Sequence, residues 1–282
     1  MSSRAQSGRQ WVSASDGLVA WRTGTWAQEK LFYLSRYFSI FNAGMQKKWS
    51  ERVYIDLFCG AGRVLADHDE MDGSAALALR SQIPFTRCFF NDAEPLAVEA
   101  LKKRAEQIGG LSPVYFSEDC NTVIPRIRSL LPASSLDLAF IDPSNWQIAL
   151  DSIATLTANR RMDLVVTFHV GGMKRAAATQ PQSLDSFFGT RIWRDAYDRS
   201  LRAGRREGSR ILLDCYEDQL RKLGYTWVVD DVRITNSRHV GSYHLVFASK
   251  SARGEDFWKK ITARSATGQQ RLFREPPPDY EV

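Results

Sequence analysis

The sequence predicts an α/β fold with a mostly parallel sheet, an antiparallel C-terminal hairpin, and helical N-terminal and inserted segments. Three observations predict it. The run Val53 to Phe58 is apolar and β-prone and stops abruptly in Cys59-Gly60-Ala61-Gly62, the pattern of a buried strand entering a tight turn. Two later apolar runs also end in an acid, Asp92 and Asp142. Segments of helical length alternate with these strands, which gives βαβ units and a parallel sheet.

The elements follow in order. Residues 1–23 are polar and expected to fray. Leu31, Leu34, Tyr37, Phe38 and Phe41 recur at helical spacing between Thr25 and Trp49, so this segment is an amphipathic helix packed on the domain. After the glycine turn, Gly73-Ser74 opens a short helix through Leu79. Cys88 to Asp92 is a strand, and Pro95 to Ile108 a helix with proline in its first turn. Val114 to Phe116, Leu136 to Ile141 and Asp163 to Phe168 are further strands. Val123 to Leu131 and Ile148 to Leu156 are the helices between them. Gly171 to Gln182 reads as a loop, and Leu184 to Leu223 as helical stretches broken at Gly204 to Ser209, so about 174–222 is a helical insertion. Thr226 to Ile234 and Tyr243 to Ala248 form the closing hairpin. The domain spans 24–273, and residues 274–282, with Pro276-Pro277-Pro278, are an extended tail. Right-handed crossovers bring the strand ends to one edge.

Composition narrows the classes. No apolar run nears the ~20 residues that span a bilayer, and Met1 to Arg9 lacks a signal-type apolar stretch. No membrane association and a cytoplasmic location are expected. Cys59, Cys88, Cys120 and Cys215 form no C-x-x-C pair, and the four histidines no H-E-x-x-H, so neither a disulfide framework nor a metal site is read. A net charge of +6 permits a nucleic-acid partner without requiring one.

The acids at the strand ends carry the chemistry. Gly60 and Gly62 let the backbone approach a ligand closely. A dinucleotide fingerprint needs a third glycine and an acid about 20 residues on. Here Arg63-Val64-Leu65 follows Gly62, and Asp92 comes thirty residues later. A cofactor with a ribose and no pyrophosphate fits better. Asp92 would accept from both ribose hydroxyls. Asp119, beside Cys120, would meet an adenine amino group, and Asp56 an ammonium, directly or through water; for each acid an N-cap or solvated loop residue is the alternative. That set describes S-adenosylmethionine. Asp56, Phe58, Gly60, Gly62, Asp92, Asp119 and Cys120 are its candidate binding residues.

Asp142-Pro143-Ser144-Asn145-Trp146 supplies the candidate catalytic residues Asp142, Pro143 and Trp146. Asp142 and the Pro143 carbonyl would hold an amine in line with a methyl donor, which is catalysis by positioning. Trp146 would stack on a planar acceptor, or else lie in the core. His169 and the glycines and cations of the loop after it, to Arg175, would shape a substrate mouth, with a plain solvated loop as the alternative. Arg191 to Arg210 interleaves seven arginines with Trp193 and Tyr197. Such a segment suits nucleic acid, and a solvated helix face is the alternative.

The chain resembles the three-Cys-motif partner family of bacterial proteins, with a class I S-adenosylmethionine-dependent methyltransferase (Rossmann-like) fold. The resemblance covers about Lys30 to Phe273. It rests on Lys30-Leu31-x-Tyr33-Leu34, Tyr54 to Arg63, Gly73-Ser74, Asn91-Asp92, Asp119-Cys120-Asn121, Leu136 to Pro143, Arg161 to Leu164 and Tyr243 to Lys250. It implies a methyltransferase whose partner resembles the phage Gp37/Gp68 group, the protein that carries the three cysteines. Asp142-Pro143 is also similar to the Asp-Pro-Pro-Tyr motif of amino-methyltransferases, with Ser144 for the second proline and the aromatic one place later. Those enzymes act on nucleobase or glutamine nitrogens, so the similarity implies a nitrogen as the target, and a nitrogen on nucleic acid is the leading expectation. No Pro-Cys pair occurs, so the covalent cytosine-C5 route is not expected. A methyltransferase-fold module that only binds, acting with the partner protein, is the alternative. A dehydrogenase is disfavoured by the missing third glycine.

Overall fold

The computed structural model describes residues 11–67, 69–202, 208–235 and 242–265. In chain order the elements are β1 (Trp11–Ser13), β2 (Val19–Thr23), α1 (Trp26–Met45), β3 (Arg52–Asp56), β4 (Arg63–Ala66), β5 (Asp69–Asp72), α2 (Ser74–Leu79), β6 (Arg87–Asn91), α3 (Pro95–Ile108), β7 (Val114–Phe116), α4 (Cys120–Leu130), β8 (Leu136–Ile141) and α5 (Leu150–Thr157). They continue with β9 (Arg161–Phe168), α6 (Val170–Thr179), α7 (Pro181–Phe188), α8 (Ile192–Arg202), α9 (Gly208–Lys222), β10 (Trp227–Thr235), β11 (Ser242–Ser249) and α10 (Ala252–Thr262).

Seven strands form the main sheet in the order β10-β11-β9-β8-β3-β6-β7. β3, β6, β7, β8 and β9 pair in parallel. β11 runs against β9 and β10 against β11. The hairpin therefore reverses only one strand relative to the sheet, and β10 at the edge runs with the rest. β3 is central and buried along its whole length, as a strand covered on both faces must be. Its side chains alternate. Val53 and Ile55 join the core under α4, α5, α7 and α9, and Tyr54 joins the core under α1, α2 and α10.

Four features differ from the sequence expectation. Residues 11–23, expected to fray, carry β1 and β2, which pair antiparallel with Trp11 edge-on to Trp21 at 5.3 Å. Residues 63–72 form the β4–β5 hairpin, and β2 pairs in parallel with β4 to complete a second, four-stranded sheet over the glycine turn. The stretch from Gly171 to Gln182, expected to be a loop, is mostly taken up by α6, because Val170, Met173 and Ala176 present one buried face and its two glycines fall in the first turn. α10 was not expected. Its Phe257, Trp258 and Ile261 are buried, and Trp258 stacks on Phe247 at 4.8 Å. The expected break from residue 204 falls mainly outside the described residues, as do residues 1–10 and the tail at 274–282.

Arg104 on α3 holds the second sheet in place. Its Nε and Nη2 donate to the two Asp16 carboxylate oxygens at 2.7 and 2.8 Å, and Nη1 donates to the Val19 and Ala61 carbonyls at 2.8 and 2.6 Å. The guanidinium is buried and its charge is matched, which burial of an ion requires. Asp16 is held down to about 2, first by the Arg104 hydrogen bonds.

Candidate functional site

The carboxyl ends of the parallel strands meet at one edge, where ligands bind in open α/β sheets. A cavity of about 250 Å³ opens there, reached by Gly60, Gly62, Asp92, Asp142, Lys30 and Trp26 among others. Beyond β3 the chain turns through Gly60 and Gly62, both at positive φ, +57° and +73°. A Cβ at Gly62 would lie 2.6 Å from Leu101 Cδ1, whereas nothing lies within 4 Å of one at Gly60. Gly62 thus allows the helix α3 to pack close. The second face of the turn, at Gly60, leaves backbone open to a ligand.

Asp92 is nearly buried and fixes this turn. Its Oδ2 accepts from the Gly60 N–H and its Oδ1 from the Glu94 N–H, both at 3.0 Å. Its carboxylate thereby braces the turn at the edge of the cavity. Asn91 beside it donates to the Leu57 and Glu118 carbonyls at 3.2 and 3.1 Å, tying three strand ends together.

Asp56 lies one layer below the cavity. It is fully buried and accepts from Ser74 Oγ at 2.6 Å, Tyr54 Oη at 3.1 Å and the Phe58 N–H at 3.2 Å. Burial, outweighing those hydrogen bonds, pushes its carboxyl up to about 7. Ser74 lines the cavity and stands between Asp56 and any ligand.

Asp142 and Pro143 line the cavity with His169. Lys30, from the first helix, donates to Asp142 Oδ2 at 2.5 Å. Burial pushes the Asp142 carboxyl up, but the Lys30 ammonium, with His169 beyond it, holds it below the ordinary carboxylate range. The Lys30 ammonium also lies 5.8 Å from the Tyr243 ring centre, and His169 packs on that ring at 5.5 Å. Burial lowers His169 below the usual histidine range against the pull of Asp142, and its Nε2 has no hydrogen-bond partner among the described residues.

Of the remaining candidates, Phe58 lines the cavity, and Asp119, Cys120 and Trp146 are not among its lining residues. Asp119 is exposed and caps α4, accepting from the Asn121 and Thr122 N–H groups at 2.9 and 3.3 Å. Cys120 is buried, its thiol pushed up to about 12 by burial. Trp146 is half-buried against the core under α5 and α7. It faces α6, where a Cβ on Gly172 would meet its ring at 3.3 Å. It does not line the cavity. Trp193 and Tyr197 are buried as well, so α8 turns its aromatic face to the core and cannot offer those rings to bases. Arg194 pairs with Asp185, and Arg210 with Asp214, Glu217 and Asp230. Arg199 and Arg202 are exposed. Arg205 and Arg206 lie outside the described residues.

Sequence reasoning gave no role to Lys30, Ser74, Trp21 or Trp26. Lys30 lies in the Lys30-Leu31-x-Tyr33-Leu34 motif, and the sequence marks Ser74 only as a helix start. Trp26 precedes Lys30 by one helical turn, a spacing that puts both on one face. The missing signal was the partner, 112 residues away in sequence.

No family model and no curated protein matches the sequence. Solved structures do match. Protein LPL1258 from Legionella pneumophila aligns over 86% of this chain and 94% of its own, at 11% identity and a TM-score of 0.51. Trm1 from Pyrococcus horikoshii, solved with S-adenosyl-L-methionine, aligns over 82% of this chain at 15% identity and a TM-score of 0.49. This chain spans 57% of the length of Trm1. The N-methyltransferase NodS from Bradyrhizobium japonicum, solved with S-adenosyl-l-homocysteine, aligns over 81% of this chain and 89% of its own, at 13% identity and a TM-score of 0.44. Among the described residues no helix is long and apolar enough to cross a membrane, and no cluster of three metal-ligating side chains occurs. The sheet order, with β11 alone reversed between β9 and β10, gives the chain a class I methyltransferase, Rossmann-like fold.

Proposed function

We propose that the protein is an S-adenosylmethionine-dependent methyltransferase whose reaction takes place in front of Asp142. One observation carries this reading. A single cavity is bounded by the glycine turn and Asp92 on one side and by Asp142-Pro143 on the other. The open space over Gly60, which a Cβ would fill, fits a cofactor lying on the turn. When bound, the cofactor supplies an electrophilic methyl group on a sulfonium. Asp92 would hold its ribose hydroxyls. Ser74 would pass the charge of Asp56 to its ammonium. Asp119 and Cys120 would border its adenine.

Asp142 would orient the acceptor. Its Oδ2 is engaged by Lys30, and Oδ1 would accept from an acceptor N–H. A nitrogen on nucleic acid is the target this favours. Trp146 would support the segment from behind through its packing on α6. Membership of the three-Cys-motif partner family, and a partner of the Gp37/Gp68 type, belong to the same proposal and rest on the sequence motifs alone.

The test uses methyl-labelled S-adenosylmethionine and nucleic acid from cells that lack the protein. Label should enter the nucleic acid. Asp142→Ala should abolish incorporation while leaving S-adenosylhomocysteine affinity within about twofold, because a contact made to the reacting group is lost from the rate more than from ground-state binding. Label in protein alone would move the acceptor to protein. Bound cofactor with no label anywhere would favour the second reading, a methyltransferase-fold binding module.

A further inference from the structure

We propose that Trp26, with Trp21 lining the same cavity, is the platform on which a nucleobase stacks in front of Asp142. The proposal rests on the methyltransferase reading and names its acceptor class. Trp26 opens α1, and Lys30 follows it by one turn on the same helix face. Lys30 donates to Asp142, so the helix face bearing Trp26 is fastened to the acid at the reaction end of the cavity. Both residues line that cavity.

The Trp26 ring has a built position. Helical side chains lean toward the N-terminus, and this one folds back over Gly24, where a Cβ would lie 1.7 Å from its Cζ3. The Trp26 carbonyl accepts from Tyr243 Oη at 2.9 Å, which pins the helix start to β11. Trp21 reaches the same cavity from β2, paired in register with Val64 just past the glycine turn. It is backed edge-on by Trp11. Each of these rings, held on its own rigid support, brings a π face to the cavity, and bases stack on such faces whatever their sequence. The motif tryptophan, Trp146, is turned to α6 and cannot take this role. The chain therefore supplies its aromatic wall from the N-terminal segment. A nucleobase is favoured over another planar group because Asp142 and Lys30 place an acceptor and a donor together at the cavity, matching the hydrogen-bonding edge of a base.

The probes are cytidine, uridine and guanosine, followed by saturation-transfer NMR and titration on the full chain, with and without saturating S-adenosylhomocysteine. N-acetyltyrosinamide serves as a planar probe that is not a base. At least one nucleoside should bind through its base protons. Trp26→Ala should weaken it about tenfold or more, and Trp26→Phe should retain most of the affinity. Gly24→Ala keeps the tryptophan but displaces its ring, so it should weaken binding as Trp26→Ala does. All three variants should bind S-adenosylhomocysteine as the wild type does. Nucleoside affinity unchanged in Gly24→Ala and Trp26→Ala, no nucleoside binding in either state, or binding of the tyrosine amide alone would overturn the platform. Failure of S-adenosylhomocysteine to bind would instead count against the cofactor reading, and the titrations without it would still decide the platform.

Discussion

Replacing Arg104 by methionine is expected to lower stability by about 3 kcal/mol, near the bottom of the range for breaking a buried ion pair. The lower end applies because Asp16 is 22% exposed while the Arg104 side chain is 4% exposed. The change leaves Asp16 unpaired and frees the Val19 and Ala61 carbonyls. Ala61 lies between the two glycines of the turn, so the same change should loosen the ligand-facing backbone along with the second sheet. At 2–4 °C per kcal/mol for chains of this order of size, the melting temperature should fall by about 6–12 °C. Limited proteolysis should then cut within residues 11–23 first. A melting temperature within a degree of the wild type would show that α3 does not hold this sheet.

Stability is expected to fall as pH rises from about 4 to about 7, and Asp56 is the main cause. Its folded carboxyl is pushed up to about 7 from an ordinary 3.8, so between those values the folded state binds the proton and the unfolded state does not. Stability then decreases with pH across the window and the loss is complete above about 7. A rise of this size corresponds to roughly 4 kcal/mol as an upper bound, at 1.36 kcal/mol per pKa unit. Asp163, pushed up to about 6 by burial, adds a slope of the same sign in the lower part of the window. Asp16, with its carboxyl held down, acts only below about 4 and with the opposite sign, and His169 and His244, both lowered by burial, oppose the slope as pH approaches the ordinary histidine range. Asp56→Asn keeps the shape of the side chain without the charge. It should flatten the upper part of the curve and make the variant more stable than the wild type at pH 8. Denaturant titrations from pH 4 to 8 check this, and an unchanged slope in Asp56→Asn would refute the assignment.

How much of this was legible in the sequence depends on how local the cause is. β3 could be read because a central strand is a continuous apolar run, and its exit because glycines must supply the positive φ. Asp92 could be placed at a strand end for the same reason. β4 and β5 could not be read: each is four residues long, and they are held by β2 and by the pairing of Arg63 with Glu70 and Asp72. The first strands were hidden because Asp16 and Val19 gain their order from Arg104, far along the chain. Trp146 and Trp26 show the same limit. Both are half-buried tryptophans near a strand end or helix start, and only α6 and Lys30 decide which of them faces the cavity. Trp193 and Tyr197 looked like base-stacking residues beside arginines. Their spacing is also that of a buried helix face, and packing on Phe188 decided it.

The central claim is that the glycine turn and Asp92 form a cofactor site, and calorimetric titration of the protein with S-adenosylhomocysteine tests it most directly. Saturable binding is predicted, with stabilisation of about 2.7 kcal/mol when the ligand stands at 100 times its Kd. Asp92→Ala should weaken that binding by about 1–3 kcal/mol, the scale for losing a charged hydrogen-bond partner. No heat and no thermal shift at millimolar ligand, or full affinity in a folded Asp92→Ala variant, would contradict it.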